Sequence, residues 1–382
     1  MNFDFSLLLL GAPVVFVLGW FASRLDMRQW RLENQQAPRA YFKGLNFLLN
    51  EQQDQAIDAF IEAVQKDPDT SELHFALGNL FRRRGEYERA VRVHEHLLAR
   101  GDLSNTDRQR AQYALALDFL KAGILDRAES ALLKLEGTAF EAQAQLALLA
   151  NYERTRDWTQ AARIAQKLES AQHGSFGARL AHYLCEQARD LPAAHRAQAA
   201  HLLQQAIETE PHGARAYLDL ARLQQQQTQE AYQTLVLAMG MCPAAQPLIA
   251  APLTHAALAC GQGTAALALL QASYERTPSL DVLDALVRLQ EASHEATPGA
   301  RARYVQHLAH EPSLVAAAKW LAGEKLEHEQ FHPHVQRALD LAVKPLTRYR
   351  CAACGFTAEQ HFWHCPGCQA WDSYPARRIE EL

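Results

Sequence analysis

Phe42-Lys43-Gly44-Leu45-Asn46-Phe47 is answered 34 residues later by Ala76-Leu77-Gly78-Asn79-Leu80-Phe81. The offset holds beyond this stretch: Gly44 pairs with Gly78, Phe47 with Phe81 and Ala56 with Ala90. In the first unit Phe60, Ala63 and Pro68 complete a pattern of small, large, small and stop. Self-similarity at a fixed period of this size signals a repeat array. Two antiparallel helices approach closely only where a small side chain lets the backbones meet. Large residues then fill the space between turns.

The pattern weakens along the chain but continues. Phe119 and Ala128 fit a third unit, with Asp126 before its second helix. Tyr152, Trp158 and Ala161 fit a fourth, where Arg156-Asp157-Trp158 mirrors Gly85-Glu86-Tyr87. Ala206 to Pro211 repeats the end of the first unit, and Tyr217, Leu220 and Ala231 suggest a sixth. Helical periodicity runs on through 252–310, with Pro243, Pro278 and Pro312 as breaks. These residues resemble the tetratricopeptide repeat, which implies an all-α, right-handed α-solenoid. In that family the first helix of each unit lines a groove. By repeat position the groove candidates are Tyr41, Leu45, Phe75, Asn79, Arg82, Arg83, Arg110, Tyr113 and Lys121, a set suited to an acidic or amphipathic peptide. For any one of them a solvated helix face is the plain alternative.

Composition agrees with helix throughout: 18 Gly and 15 Pro in 382 residues, 48% hydrophobic. A net charge of -5 excludes a strongly basic nucleic-acid binder as a global reading. The N-terminal run Phe5 to Ser23 carries no charge. At roughly 1.5 Å per residue it spans roughly 28 Å, enough for a bilayer core. Arg24, Arg28 and Arg31 follow it, whereas only Asp4 and the terminal amine precede it. The positive-inside rule then leaves the N-terminus outside and the rest of the chain in the cytoplasm. A cleaved signal peptide would need a positive n-region, which the sequence lacks.

Four of the seven cysteines fall in the last 32 residues. Cys351-x2-Cys354 and Cys365-x2-Cys368 are separated by ten residues, the spacing of a closed tetrahedral thiolate site. Zn2+ suits it, and four thiolates also suit iron. Gly355 and Gly367 are expected to allow the two turns, and Phe356, Trp363, Trp371 and Tyr374 to form a small core around the metal. His361 and His364 are nearby but unneeded as ligands. The stretch resembles the rubredoxin or zinc-ribbon fold. Cys185, Cys242 and Cys260 stand apart in apolar surroundings and read as packing residues. The tail's Arg348, Arg350, Arg377 and Arg378 are balanced by Glu359, Asp372, Glu380 and Glu381, which disfavours a nucleic-acid ribbon.

His328-Glu329-Gln330-Phe331-His332 matches the zinc-protease pattern H-E-x-x-H. That chemistry needs both imidazoles on one helical face, and Pro333 works against this. A metallopeptidase is the weaker alternative, and no other catalytic constellation is present in the sequence.

The expected organisation is an anchor at 1–23, a juxtamembrane linker at 24–36, a solenoid at 37–344 and a metal-binding domain at 345–382. This order, with the exit Arg24 to Arg28, the stretch Tyr41 to Gln52, the stretch Ala56 to Ala63 and the tail Tyr349 to Trp371, resembles the lipopolysaccharide assembly protein B family. The resemblance implies a non-enzymatic, single-pass adaptor at the bacterial inner membrane that regulates lipopolysaccharide synthesis. It implies as partners a membrane-anchored AAA+ zinc protease, the deacetylase that commits precursors to lipid A, an opposing inner-membrane regulator and other lipopolysaccharide assembly proteins, with self-association open. The family's metal cysteines correspond to Cys351, Cys354, Cys365 and Cys368. A general scaffold for another envelope complex is the alternative of the same architecture.

Overall fold

The computed structural model describes residues 16, 20, 42–47, 49–66, 70–292, 301–324 and 329–382. The apolar run from Phe5 to Ser23, apart from Phe16 and Trp20, lies outside them, as do the linker at 24–36, Tyr41 and His328. Among the described residues no single helix is long and apolar enough to cross a membrane.

The chain divides into two compact units, Met1–Asp157 and Trp158–Leu382. The first contains α1 (Gln53–Lys66), α2 (Ser71–Arg84), α3 (Tyr87–Ala99), α4 (Asn105–Ala122), α5 (Leu125–Leu133) and α6 (Glu141–Thr155). Each helix packs on its neighbour in sequence, and the alternate helices α2, α4 and α6 also touch one another. This is the contact pattern of a helical solenoid.

The repeat offset read in the sequence marks real helix crossings. Ala56 and Ala90 are fully buried, and Gly44 and Gly78 are buried with them. A Cβ on Gly44 would stand 2.8 Å from the Phe60 ring, and one on Gly78 would stand 2.5 Å from the His94 ring. Phe60 and His94 are themselves one repeat apart, so an imidazole replaces the aromatic wedge in the second unit. The substitution is accommodated by charge. His94 Nδ1 donates to the fully buried Asp118 carboxylate at 2.5 Å, and Arg82 donates to the same carboxylate at 2.8 Å. A buried carboxylate needs such partners to offset its desolvation.

The first helices end alike. Gly85 and Gly123 take left-handed backbone, and the next amide returns to a carbonyl five residues back: Glu86 to Phe81 and Ile124 to Phe119, both at 2.9 Å. At the mirrored position Arg156 adopts the same conformation with φ 59°, and Asp157 donates to Tyr152 at 3.0 Å. The repeat geometry is thus kept where the glycine is not.

The second unit is itself a stack of helices, beginning with α7 (Trp158–Ser170), α8 (Gly177–Asp190), α9 (Arg196–Thr209), α10 (Ala214–Leu223), α11 (Thr228–Met241) and α12 (Gln246–Ala259). It goes on with α13 (Gly263–Arg276), α14 (Leu280–Ala292), α15 (Ala302–His310), α16 (Leu314–Leu321) and α17 (His332–Val343). The alternate helices α8, α10, α12 and α14 touch in series. The core runs through Tyr217, Leu235, Met239, Ile249, Leu253 and Leu286. Cys185 and Cys242 are buried and Cys260 half-buried. Burial raises the Cys185 thiol to about 12 and that of Cys242 to about 11, so both are inert near neutrality. The H-E-x-x-H segment is not one continuous helix: Glu329–Phe331 forms a 3-10 turn and His332 opens α17, with Pro333 in its first turn.

Gly78→Ala tests the crossing directly. The added methyl must displace the His94 ring from its carboxylate, so urea unfolding followed by far-UV circular dichroism is expected to show a loss of about 1–3 kcal/mol. An unchanged midpoint would contradict the close approach.

Candidate metal centre and docked ribbon

After α17 the chain turns into β1 (Tyr349–Arg350) and β2 (Thr357–Ala358), paired antiparallel with Tyr349 opposite Ala358. A second bridge joins His364 to Trp371. Each cysteine pair sits in a matching knuckle. Gly355 N donates to the Cys351 carbonyl at 2.9 Å, and Gln369 N donates to the Cys365 carbonyl at 2.8 Å. The left-handed residues are Gly355 and Gln369, each directly after the second cysteine of its pair. This corrects the expectation for Gly367, whose φ is not positive. A Cβ there would make ordinary contact with Phe356 at 3.4 Å.

The four sulfurs lie within 4.8 Å of one another. Cys351 and Cys368 are 3.8 Å apart, and Cys354 and Cys365 are 3.7 Å apart. A tetrahedron with metal–sulfur bonds of about 2.3 Å has edges of about 3.8 Å. The donor set therefore fits a four-thiolate metal, and zinc and iron fit it equally well. The Ser373 hydroxyl, with the Cys354 and Ala353 amides, holds the Cys351 thiol down at about 6. The Phe356 amide also favours the Cys354 thiolate, but the crowd of the other three sulfurs pushes it up to about 12. A divalent cation removes that repulsion, which is why such sites bind metal and fold together. His361 and His364 are occupied by backbone carbonyls, those of Tyr374 at 3.0 Å and Gln369 at 2.9 Å.

The ribbon's own core is small: Tyr349, Cys351, Cys365 and Tyr374, with Ala358, Phe362 and Leu248 of α12 against it. Two of the four expected core aromatics do other work, and a third is at the surface. Phe356 is 44% exposed. Trp371 stacks on His182 of α8 at 4.9 Å and meets Trp158 and Tyr183 edge-on. It also stacks on His364 at 4.3 Å. Trp363 packs against the helical core. The reason is area: so short a segment lacks the interior to cover three large aromatics.

Polar contacts fix the docking. Asp372, in left-handed backbone at φ 50°, accepts from His182 Nε2 at 2.8 Å. Arg215 approaches His182 Nδ1 at 3.4 Å and pairs with Glu186 at 2.6 Å. Arginine only donates, so Nδ1 accepts and Nε2 carries the hydrogen given to Asp372. Further on, Arg378 grips Asp281 of α14 with two bonds, at 2.9 and 3.0 Å. Glu381 accepts from the Leu280 amide at 2.9 Å, and Glu380 accepts from the Leu314 amide at 2.6 Å. The last residues thereby cap α14 and α16 with carboxylates, where unsatisfied amides favour them.

The groove candidates of the first unit are mostly committed internally. Phe75 is 1% exposed, packed on Leu97 and Ala111, so it is absent from the surface. Arg110 covers its ring at 4.1 Å and pairs with Glu72 at 2.5 Å. Arg82 is spent on Asp118 and on Asn79, 2.5 Å away. Leu45 packs against the core around α1. Tyr113 is half-buried against Phe140, and burial raises its phenol. Arg83 and Lys121 remain exposed. The residues that hold the ribbon, His182, Trp158 and Asp281, were not legible as a site, since their ribbon partners lie 97 to 213 positions away.

Residues 349–374 match the family model described as a rubredoxin metal binding domain. The whole chain is 29% identical to lipopolysaccharide assembly protein B of Escherichia coli strain K12 over 390 residues, covering 99% of this chain and 100% of that one. The chain is thus similar to lipopolysaccharide assembly protein B along its whole length. The protein of the same name from Haemophilus influenzae is also 29% identical, covering 96% of this chain and 97% of its own. Among solved structures, a tetratricopeptide repeat protein from Parabacteroides merdae overlaps 67% of this chain and 98% of its own with TM-score 0.36 at 16% identity. The Naa15/Naa10 complex with HypK overlaps 82% and 48% with TM-score 0.44 at 15% identity.

Two variants separate metal binding from docking. Cys351→Ser with Cys354→Ser is expected to abolish bound metal and expose the tail to protease. Trp371→Ala is expected to keep one metal per chain yet weaken docking by on the order of 3 kcal/mol, seen as faster cleavage around residue 346. Equal protease resistance in the Trp371 variant would mean that the tryptophan does not hold the ribbon.

Proposed function

We infer that the chain is a membrane-tethered adaptor that regulates lipopolysaccharide synthesis through proteolysis. In this reading it presents the deacetylase that commits precursors to lipid A to a membrane-anchored AAA+ zinc protease, and an opposing inner-membrane regulator restrains it. The observation that carries the reading is similarity to lipopolysaccharide assembly protein B along the full length of both chains. Stacked helix pairs support it, because they supply long, pre-formed contact surfaces.

The adaptor acts by placement. Phe5 to Ser23 serves as the inner-membrane anchor, with the N-terminus periplasmic and the remainder cytoplasmic. Tethering raises the local concentration of a soluble client beside the protease, and no bond chemistry is asked of the chain itself. The metal, zinc or iron, is structural in this scheme: it holds the ribbon, and the ribbon holds the second unit's helices.

The test is a pulse-chase of the deacetylase in cells depleted of this protein. Its half-life is expected to lengthen several-fold with transcript unchanged, and a chain lacking residues 1–23 is expected not to restore turnover. A steady half-life on depletion would discard the adaptor reading.

A further inference from the structure

The second unit contains a cleft of about 780 Å3 that neither the helix stacking nor the ribbon fills. Its walls come from α10, α11 and α12 on one side and from His361 and Trp363 of the ribbon on the other. Arg222 and Gln225 also border an adjoining hollow of about 410 Å3 between α8, α9 and α10. The two together exceed the roughly 1,000 Å3 upper range of small-molecule pockets and suit a stretch of polypeptide.

Four features define what such a segment must look like. The floor is apolar, built from Leu218, Leu235, Leu248 and Pro252. The rim is cationic: Arg222 is 72% exposed, and no carboxylate is among the residues lining the larger cleft. Arg222's partner Asp219, at 3.2 Å, is shared with Arg215 at 3.4 Å, although Arg215 has its closer partner in Glu186 at 2.6 Å. In the adjoining hollow Arg196 donates to the Leu223 carbonyl and to Gln226, both neutral, and Asp219 is the one carboxylate lining it. Finally, Pro252 interrupts α12 and has no N–H to return to the Leu248 carbonyl. Both residues line the cleft.

We propose that this cleft holds an acidic, apolar segment of a partner polypeptide, with its large side chains on the Leu218–Pro252 floor and its carboxylates on Arg222 and His255. Charge complementarity selects this occupant: a basic segment meets Arg222 and Arg196, and a nucleic-acid backbone leaves the apolar floor uncovered. The proposal rests on the adaptor reading and names the chemistry of the client segment.

The test uses the full-length, metal-loaded protein in detergent. A phage-displayed library of random 12-residue peptides is selected on it, and the most enriched peptide is titrated by fluorescence anisotropy. Three proteins are compared: wild type, Arg222→Glu with His255→Glu, and a first-unit control, Arg83→Glu with Lys121→Glu. All four side chains are exposed, and metal stoichiometry verifies the fold of each variant. The enriched pool is expected to be net negative with at least one large apolar residue. Its affinity is expected to fall at least tenfold in the cleft variant and to stay unchanged in the control. A neutral or basic pool, no enrichment, or equal binding to the cleft variant and wild type would overturn the proposal. Its fate is separable from that of the adaptor reading. Peptides that ignore the cleft while depletion still lengthens the deacetylase half-life remove the cleft alone. Peptides that need the cleft while the half-life stays constant remove the adaptor role alone.

Discussion

Trp371 stacks on two imidazoles, His364 of its own ribbon and His182 of the solenoid, and the seating of the ribbon on the helices depends on that stack. The ribbon alone buries only four residues, two of them metal ligands. Such a core cannot offset the entropy of ordering the segment, so the metal must contribute, and the aromatic surface left over must be buried elsewhere. The solenoid supplies the second site of burial. His182 meets Trp371 face-on while Trp158 and Tyr183 meet it edge-on, arrangements that aromatic quadrupoles favour.

The exchange is mutual. Helices α14 and α16 begin with amides that have no partner inside their own turns. Glu381 and Glu380 supply the acceptors from the end of the chain. Arg378 joins the two systems, since it grips Asp281 and also lies 4.1 Å over the Tyr349 ring of the ribbon core. The end of the chain therefore belongs physically to the solenoid, which is why residues 158–382 form one compact unit despite the change in texture at Pro345.

How much of this was legible follows from the range of each interaction. The helix crossings were, because they recur at fixed spacing and demand small residues: Gly44, Gly78, Ala56 and Ala90 are all buried where the repeat puts them. The metal knuckles were, because two cysteines three positions apart announce their geometry locally. His94 was not. It takes the place of Phe60 one repeat earlier, and only Asp118, on the following helix, makes an imidazole tolerable there. The first-unit groove set was assigned by repeat position alone, which does not separate a side chain facing outward from one wedged between repeats. Phe75 is of the second kind, and Arg82 turns inward to a buried carboxylate that periodicity does not reveal. Docking of the ribbon was the least legible part. The one local hint was an excess of aromatics over what 38 residues can cover.

The metal centre and the cleft are linked by chain geometry without touching. Trp363 forms a wall of the cleft and stands two residues before Cys365. Its carbonyl accepts from the amide of Asp372, the same residue whose carboxylate holds His182. A metal that closes the second knuckle thus fixes the Trp363 backbone, the Asp372 contact and one side of the cleft in a single step. The solenoid side is rigid for a separate reason: Pro252 and Leu248 sit on α12, whose inner face is packed through Ile249 and Leu253 into the main core. A recognition surface with one wall set by packing and the other by a metal-folded knuckle is pre-organised on both sides. A partner segment then bears most of the ordering entropy itself, which favours selectivity over raw affinity.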